Sequence, residues 1–166
     1  MKKRWISLYV ENEIGVLAKI AGLFSSKAYN LDSLTVGETE DCTISRVTIG
    51  LTSDDMTFEQ IKKQLNRCIG IIKVVDFTNI PIHMKEILFI KISNCTEIEK
   101  QEAFRIASVF DLKVTDYDRD HILLECVKSE ERNNEIIQLI NRTFKSKTEI
   151  VRGGSVAVEA ISITER

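Results

Sequence analysis

The sequence predicts an α+β protein made of two tandem βαββαβ units of about 80 residues each. Three observations carry that prediction. Alternating and helical apolar periodicities succeed one another as strand, helix, strand, strand, helix, strand, and then do so again. The one proline of the chain, Pro81, stands between the two series, where it cannot donate to a sheet ladder and restrains Ile80 before it. Each series has strand enough for a four-stranded antiparallel sheet, with two amphipathic helices to cover one face: the ferredoxin-like arrangement.

Residues 4–11 alternate, with Ile6, Leu8 and Val10 on one side and Trp5, Ser7 and Tyr9 on the other, and read as the first strand. A tight turn at Asn12-Glu13-Ile14-Gly15 opens a helix over residues 16–27, whose Leu17, Ile20, Ala21 and Phe24 form one apolar face. After a second turn at Tyr29-Asn30, residues 31–38 and 43–51 read as a hairpin, with Val47, Ile49 and Leu51 set against Arg46, Thr48 and Gly50. A second helix begins near Thr57, turns Phe58, Ile61 and Leu65 inward, and is expected to end on Gly70 as its C-terminal cap. Residues 71–78 close the first unit.

The second unit repeats the order. Residues 85–93 are a strand, and 97–110 a helix with Ala103, Ile106, Ala107 and Phe110 inward. Residues 112–116 and 122–128 form a hairpin around Asp118-Arg119-Asp120, and 129–144 a helix burying Ile136, Leu139 and Ile140. Residues 148–151 and 155–161 supply a last strand, which Gly153-Gly154 is expected to interrupt as a bulge or turn. Helices on one face only would leave the opposite faces and the sheet edges open to another chain, which favours a dimer.

Composition narrows the function. The formal net charge is −2, with ten basic and ten acidic residues in positions 1–82 and thirteen and fifteen in 83–166. Neither half has the positive excess that phosphate-backbone binding requires, which disfavours nucleic acid as a partner. No apolar run approaches the roughly 20 residues of a membrane span. Met1-Lys2-Lys3-Arg4-Trp5 is not followed by a small-residue cleavage site, so a cytoplasmic location is expected. Cys42, Cys68, Cys95 and Cys126 are dispersed and read as reduced thiols.

Catalytic patterns are missing. There is no GxGxxG or GxxxxGK[ST] loop, and Ser25-Ser26 has no histidine nearby. Asp116, Asp118 and Asp120 alternate like cation ligands but lack the glycine and closing glutamate of an EF-hand, so they read first as a solvated hairpin turn. Glu97, Glu99 and Glu102, like Glu130 and Glu131, sit where a helix dipole favours negative charge. The remaining feature is the turn before the first helix. A helix opening just after Gly15 presents unpaired N–H groups and partial positive charge to a carboxylate. Ordinary turn chemistry accounts for the same Asn and Gly, and the residues alone leave both readings open.

Asn12 with Gly15-Val16-Leu17, then Gly22-Leu23-Phe24-Ser25 and Tyr29-Asn30-Leu31-Asp32-Ser33-Leu34, resembles the ACT domain of the small, regulatory subunit of acetolactate synthase. Ser45-Arg46-Val47-Thr48-Ile49, Glu59-Gln60-Ile61-Lys62-Lys63-Gln64-Leu65, Lys85-Glu86-Ile87-Leu88-Phe89-Ile90-Lys91 and Ile150-Val151-Arg152-Gly153 extend the likeness over nearly the whole chain. The resemblance implies an ACT domain over residues 1–79 for effector binding and dimerisation, and a C-terminal ferredoxin-like domain over 80–166. It implies no catalysis by this chain and no cofactor of its own. The partner would be the large catalytic subunit, which uses thiamine diphosphate, Mg²⁺ and FAD. It also implies activation of that partner and feedback inhibition by valine, bound between the ACT domains of a homodimer. By position, Asn12, Glu13, Ile14, Gly15, Val16 and Leu17 would meet valine from one chain, and Asn30 and Leu31 from the other. Ala28 stands where the family usually has Gly before Tyr-Asn, and if that position needs positive φ it costs about 1 kcal/mol. A stand-alone amino-acid sensor for another enzyme, and a metal-dependent enzyme using the Asp116–Asp120 hairpin, are the alternatives.

Overall fold

The computed structural model describes residues 1–145 and 147–161. Its elements run β1 (Lys2–Glu11), α1 (Val16–Ser26), β2 (Ser33–Glu38), β3 (Ile44–Ser53), α2 (Asp55–Leu65) and β4 (Ile71–Asp76). They continue as β5 (Ile82–Ser93), α3 (Glu97–Phe110), β6 (Lys113–Tyr117), β7 (His121–Lys128), α4 (Glu130–Thr143) and β8 (Lys147–Glu159). Two four-stranded antiparallel sheets result, ordered β2-β3-β1-β4 and β6-β7-β5-β8. The fold is the expected α+β pair of ferredoxin-like units. Met1–His83 together with the segment from Ser155 forms one compact unit, and Met84–Gly154 the other.

In the first unit, Ile6, Leu8 and Val10 of β1 and Val47, Ile49 and Leu51 of β3 face one way and are buried under the helices. Phe58, Ile61 and Leu65 of α2 complete that core. The face that α1 buries is Val16, Ile20 and Phe24, while Leu17 is 44% exposed and Ala21 is exposed. This corrects the expected stripe by a rotation of about one residue; both stripes have helical spacing, and only the direction of the incoming chain selects between them. Helix α2 starts at Asp55, two residues before the expected Thr57, because Asp54 caps it by accepting from Thr57 N–H at 2.8 Å. It stops at Leu65, not at Gly70. Gly70 has φ 94 in the connection to β4, and a Cβ there would lie 3.0 Å from Val16 Cγ2, so its glycine serves the packing of α1.

The opposite face of the first sheet is not bare. Ser7 and Thr48 are buried, and Arg46 donates from Nε to Ser7 Oγ and from Nη2 to the Ala157 carbonyl at 2.9 Å. Thr35 Oγ1 donates to the Ser155 carbonyl at 3.0 Å. The chain's own segment after Gly154 therefore covers part of the surface that the sequence leaves open. Gly153 and Gly154 do not break the last strand as expected: β8 is continuous through them, with Gly154 at φ 76. A Cβ on Gly153 would come within 2.5 Å of the Ile87 side chain, which explains the small residue.

The second unit buries Leu88, Ile90 and Ile92 of β5 and Ile122, Leu124 and Cys126 of β7 against Ala103, Ile106, Ile136 and Ile140. Its polar interior is fully engaged around Glu86, which is 4% exposed. Arg152 clasps both carboxylate oxygens at 2.9 and 2.7 Å, and Asn133 Nδ2 donates to one of them at 3.0 Å. The Glu86 contact holds the Arg152 guanidinium above its ordinary value.

Two outcomes are expected. Gly50 lies opposite Trp5, and an added Cβ would stand 2.4 Å from the indole, so Gly50→Ala should lower stability by about 1–3 kcal/mol in urea unfolding. Lys62 Nζ bonds Asp76 Oδ2 at 2.7 Å, joining α2 to β4. Burial pushes the Asp76 carboxyl up, but the Lys62 and Thr78 hydrogen bonds outweigh it and hold the group below 3.8. A depressed carboxylate stabilises above its unfolded value and loses that contribution as pH falls through the folded one. Asp76→Asn should therefore lower Tm at pH 7, with the gap to wild type closing as pH drops below 3.8.

Candidate functional site

The connection from β1 to α1 is built by backbone anchoring at both flanks. Glu11 N–H donates to the Gly70 carbonyl at 2.8 Å, and Asn12 N–H to the Thr43 carbonyl at 2.7 Å. The chain then has three residues in which to reverse, and it does so through Gly15 at φ 90, a left-handed conformation that a side chain strains. Helix α1 starts at once on Val16, whose buried side chain pins the first turn.

This N-terminus differs from those of the other helices. Asp54, Thr96 and Ser129 cap α2, α3 and α4, and Thr96 with Glu99 forms a reciprocal capping box. Among the described residues, no side chain caps α1 and no acidic residue lies in its first turn. Val16 N–H reaches the Glu13 carbonyl only at 3.4 Å, a long contact. Ile14 is 104% exposed beside it. The arrangement offers donors and positive potential to an anion, flanked by apolar surface.

Asn12 is the best-held side chain of the turn. Its Nδ2 donates to the Cys42 carbonyl at 2.9 Å and to Glu38 Oε1 at 3.2 Å, and Ser45 Oγ donates to its Oδ1 at 3.0 Å. The β2–β3 hairpin supplies all three partners. Its tip is rigidified by Asp41, whose carboxylate accepts from Thr43 Oγ1 and N–H and is held below its usual range by those bonds. Glu11, Asn12, Glu13, Cys42, Thr43, Ile44 and Ile72 line a cleft of about 550 Å³.

Asn30 and Leu31 lie at the other end of α1. An 11-residue helix is about 16 Å long, so a single chain does not bring them to Asn12 and Gly15. Ala28 adopts φ 55, the left-handed geometry that favours Gly in this turn. Tyr29 stacks edge-on to Phe24, with ring centroids 6.4 Å apart, and its hydroxyl donates to Gln60 Oε1, which fixes the turn. Asn30 is exposed and Leu31 is partly buried against the core. Sequence reasoning missed Glu38, Cys42 and Ser45 altogether. Only the strand register could have found them: Glu38 pairs with Ser45, and Ser45 with Val10, two residues before Asn12.

The aspartate hairpin behaves as a turn. Asp118 accepts from Asp120 and His121 N–H and from the His121 ring, and these bonds hold it below the usual carboxylate range. Among the described residues no group of three or more His, Cys, Asp or Glu could hold a metal ion. No helix among them is long and apolar enough to cross a membrane.

The fold and this turn define the class: an ACT-type unit followed by a second ferredoxin-like unit. A family model described as an AHAS small subunit-like ACT domain matches residues 6–73, and one described as the small subunit of acetolactate synthase matches residues 85–161. The chain is similar to the acetolactate synthase small subunit of Aquifex aeolicus, 39% identical over 95% of this chain and 81% of that one. It is also similar to the Bacillus subtilis small subunit, 36% identical over 93% and 89%. The crystal structure of the Thermotoga maritima small subunit superposes with a TM-score of 0.86 at 30% identity, covering 98% of this chain and 100% of that one. The chain belongs to the acetolactate synthase small-subunit family, on the regulatory rather than the catalytic side of that enzyme.

Because Asn12 ties the turn to the hairpin, Asn12→Ala should cost about 0.5–1.5 kcal/mol in stability. Amide exchange should quicken selectively over residues 39–45, which hydrogen-exchange mass spectrometry would detect.

Proposed function

We propose that this chain binds valine and transmits its occupancy to the large catalytic subunit of acetolactate synthase in the cytoplasm. In this reading it activates that subunit when free of effector and restrains it when valine is bound. The partner, by family resemblance, carries the thiamine diphosphate, Mg²⁺ and FAD chemistry that joins two pyruvates, and this chain contributes no reacting group. The first 79 residues serve as the effector-binding and dimerising ACT domain.

The observation that carries the reading is the uncapped start of α1 at Gly15, set beside Asn12 and far from Asn30. A free amino acid needs donors for its carboxylate, which the N–H groups of Gly15, Val16 and Leu17 provide, and an acceptor for its ammonium, which the Asn12 amide oxygen provides. Glu13 and Ile14 form the rim, and Ile14 and Val16 suit a short apolar side chain. Asn30 and Leu31 complete the enclosure from a second copy, since one chain holds them at opposite ends of a helix. A site shared by two copies couples occupancy to the geometry of the dimer. Typical coupling of 1–3 kcal/mol corresponds to roughly 5- to 150-fold inhibition at saturation.

Gly15→Asp places a carboxylate where the effector's own would bind, and the space around Gly15 is open to a side chain. In the reconstituted holoenzyme this variant should co-purify with the catalytic subunit and lose valine inhibition. Gly15→Ala, with the same backbone strain but no charge, should retain more of it. Asn30→His should desensitise the enzyme from across the interface. Full valine sensitivity in either Gly15→Asp or Asn30→His would reject this placement.

A further inference from the structure

The hydrogen-bond partners of Asn12 carry more than anchorage. A side-chain amide has two N–H donors and an oxygen with two lone pairs. Both donors of Asn12 are taken, by the Cys42 carbonyl at 2.9 Å and the Glu38 carboxylate at 3.2 Å. Its oxygen receives one bond, from the Ser45 hydroxyl at 3.0 Å. Turning the amide over would set its oxygen against a carbonyl and a carboxylate, two acceptors with nothing to donate, and would present Nδ2 to Ser45. The orientation is therefore dictated by chemistry and not by a choice between similar atoms. What remains for a ligand is a single lone pair on Oδ1.

We infer that Ser45, with Glu38, is a positioning residue that locks the Asn12 amide as an acceptor, so that the site selects ligands carrying an ammonium group. This rests on the effector reading above and names the chemistry by which that site discriminates. The strand register makes it structural: Glu38, Ser45 and Val10 stand abreast across β2, β3 and β1, and the chain leaving Val10 delivers Asn12 two residues on. Ser45 is 6% exposed, so its hydroxyl is shielded from water and held to this partner. An amide locked as an acceptor meets an ammonium favourably. It meets the deaminated analogue of valine, 3-methylbutanoate, with nothing to accept from.

Titration calorimetry on the full chain tests this with L-valine and 3-methylbutanoate as probes. Wild type should bind valine and bind the analogue at least tenfold more weakly. Ser45→Ala should weaken valine about three- to tenfold, the worth of one neutral hydrogen bond, and Ser45→Thr, which keeps the hydroxyl, should restore affinity to within about twofold. Glu38→Leu, at an exposed position, removes one acceptor without touching the core and should weaken valine in the same direction. In an Asn12→Ala background, Ser45→Ala should have no further effect, since it acts only through Asn12. Valine binding by wild type that is unchanged in Ser45→Ala and Glu38→Leu overturns the lock alone, as does an undiminished Ser45 effect without Asn12. Equal affinity for 3-methylbutanoate does the same. A wild-type chain that binds no valine overturns the effector reading and the lock together.

Discussion

The left-handed backbone at Gly15 is the constraint from which the first unit follows. Strand β1 ends with its backbone bonded on both flanks, to Gly70 and Thr43, so the reversal into α1 must be finished within Glu13, Ile14 and Gly15. A positive φ achieves this in one residue. The residue that makes the reversal is also the N-cap of α1, and a glycine has no side chain with which to cap the first N–H groups. The same geometry sets the phase of the helix: Val16 is driven into the core, where Gly70 makes space for it, and Leu17 is left on the surface. Backbone economy at a single glycine thus produces both the packing of α1 and its polar mouth.

Polar groups are managed differently in the two units. The second unit turns its charge inward, where Glu86, Arg152 and Asn133 satisfy one another, and it caps both of its helices with side chains. The first unit spreads its polar contacts, with Arg46 on the sheet face, Lys62 and Asp76 between α2 and β4, and Asn12 against the β2–β3 hairpin, and among the described residues it leaves α1 without a side-chain cap.

The alternating runs of β1, β3, β5 and β7 and the helical faces of α2, α3 and α4 were legible in the sequence, because period alone distinguishes half-buried strands from amphipathic helices. Family membership was legible too, through motifs spread along both halves. Less legible was the phase of α1, where Val16, Leu17, Ile20, Ala21, Leu23 and Phe24 allow two stripes. Gly70 looked like a helix cap because glycines commonly are, yet α2 stops five residues earlier and the glycine accommodates Val16. The cover supplied to the first sheet by Ser155 and Ala157 depends on contacts more than 100 residues apart, and no local pattern announces it.

Local chemistry by itself thus determined the order of elements, the two repeated units and the turn at Asn12 to Gly15, since each depends on residues near one another along the chain. Only the tertiary structure decided which way the Asn12 amide faces. Its amide is oriented by Glu38, Cys42 and Ser45, which lie 26 to 33 positions away and reach it through strand register. A hydrogen bond is set by distance and angle in space, and a one-dimensional pattern contains neither until the sheet has formed.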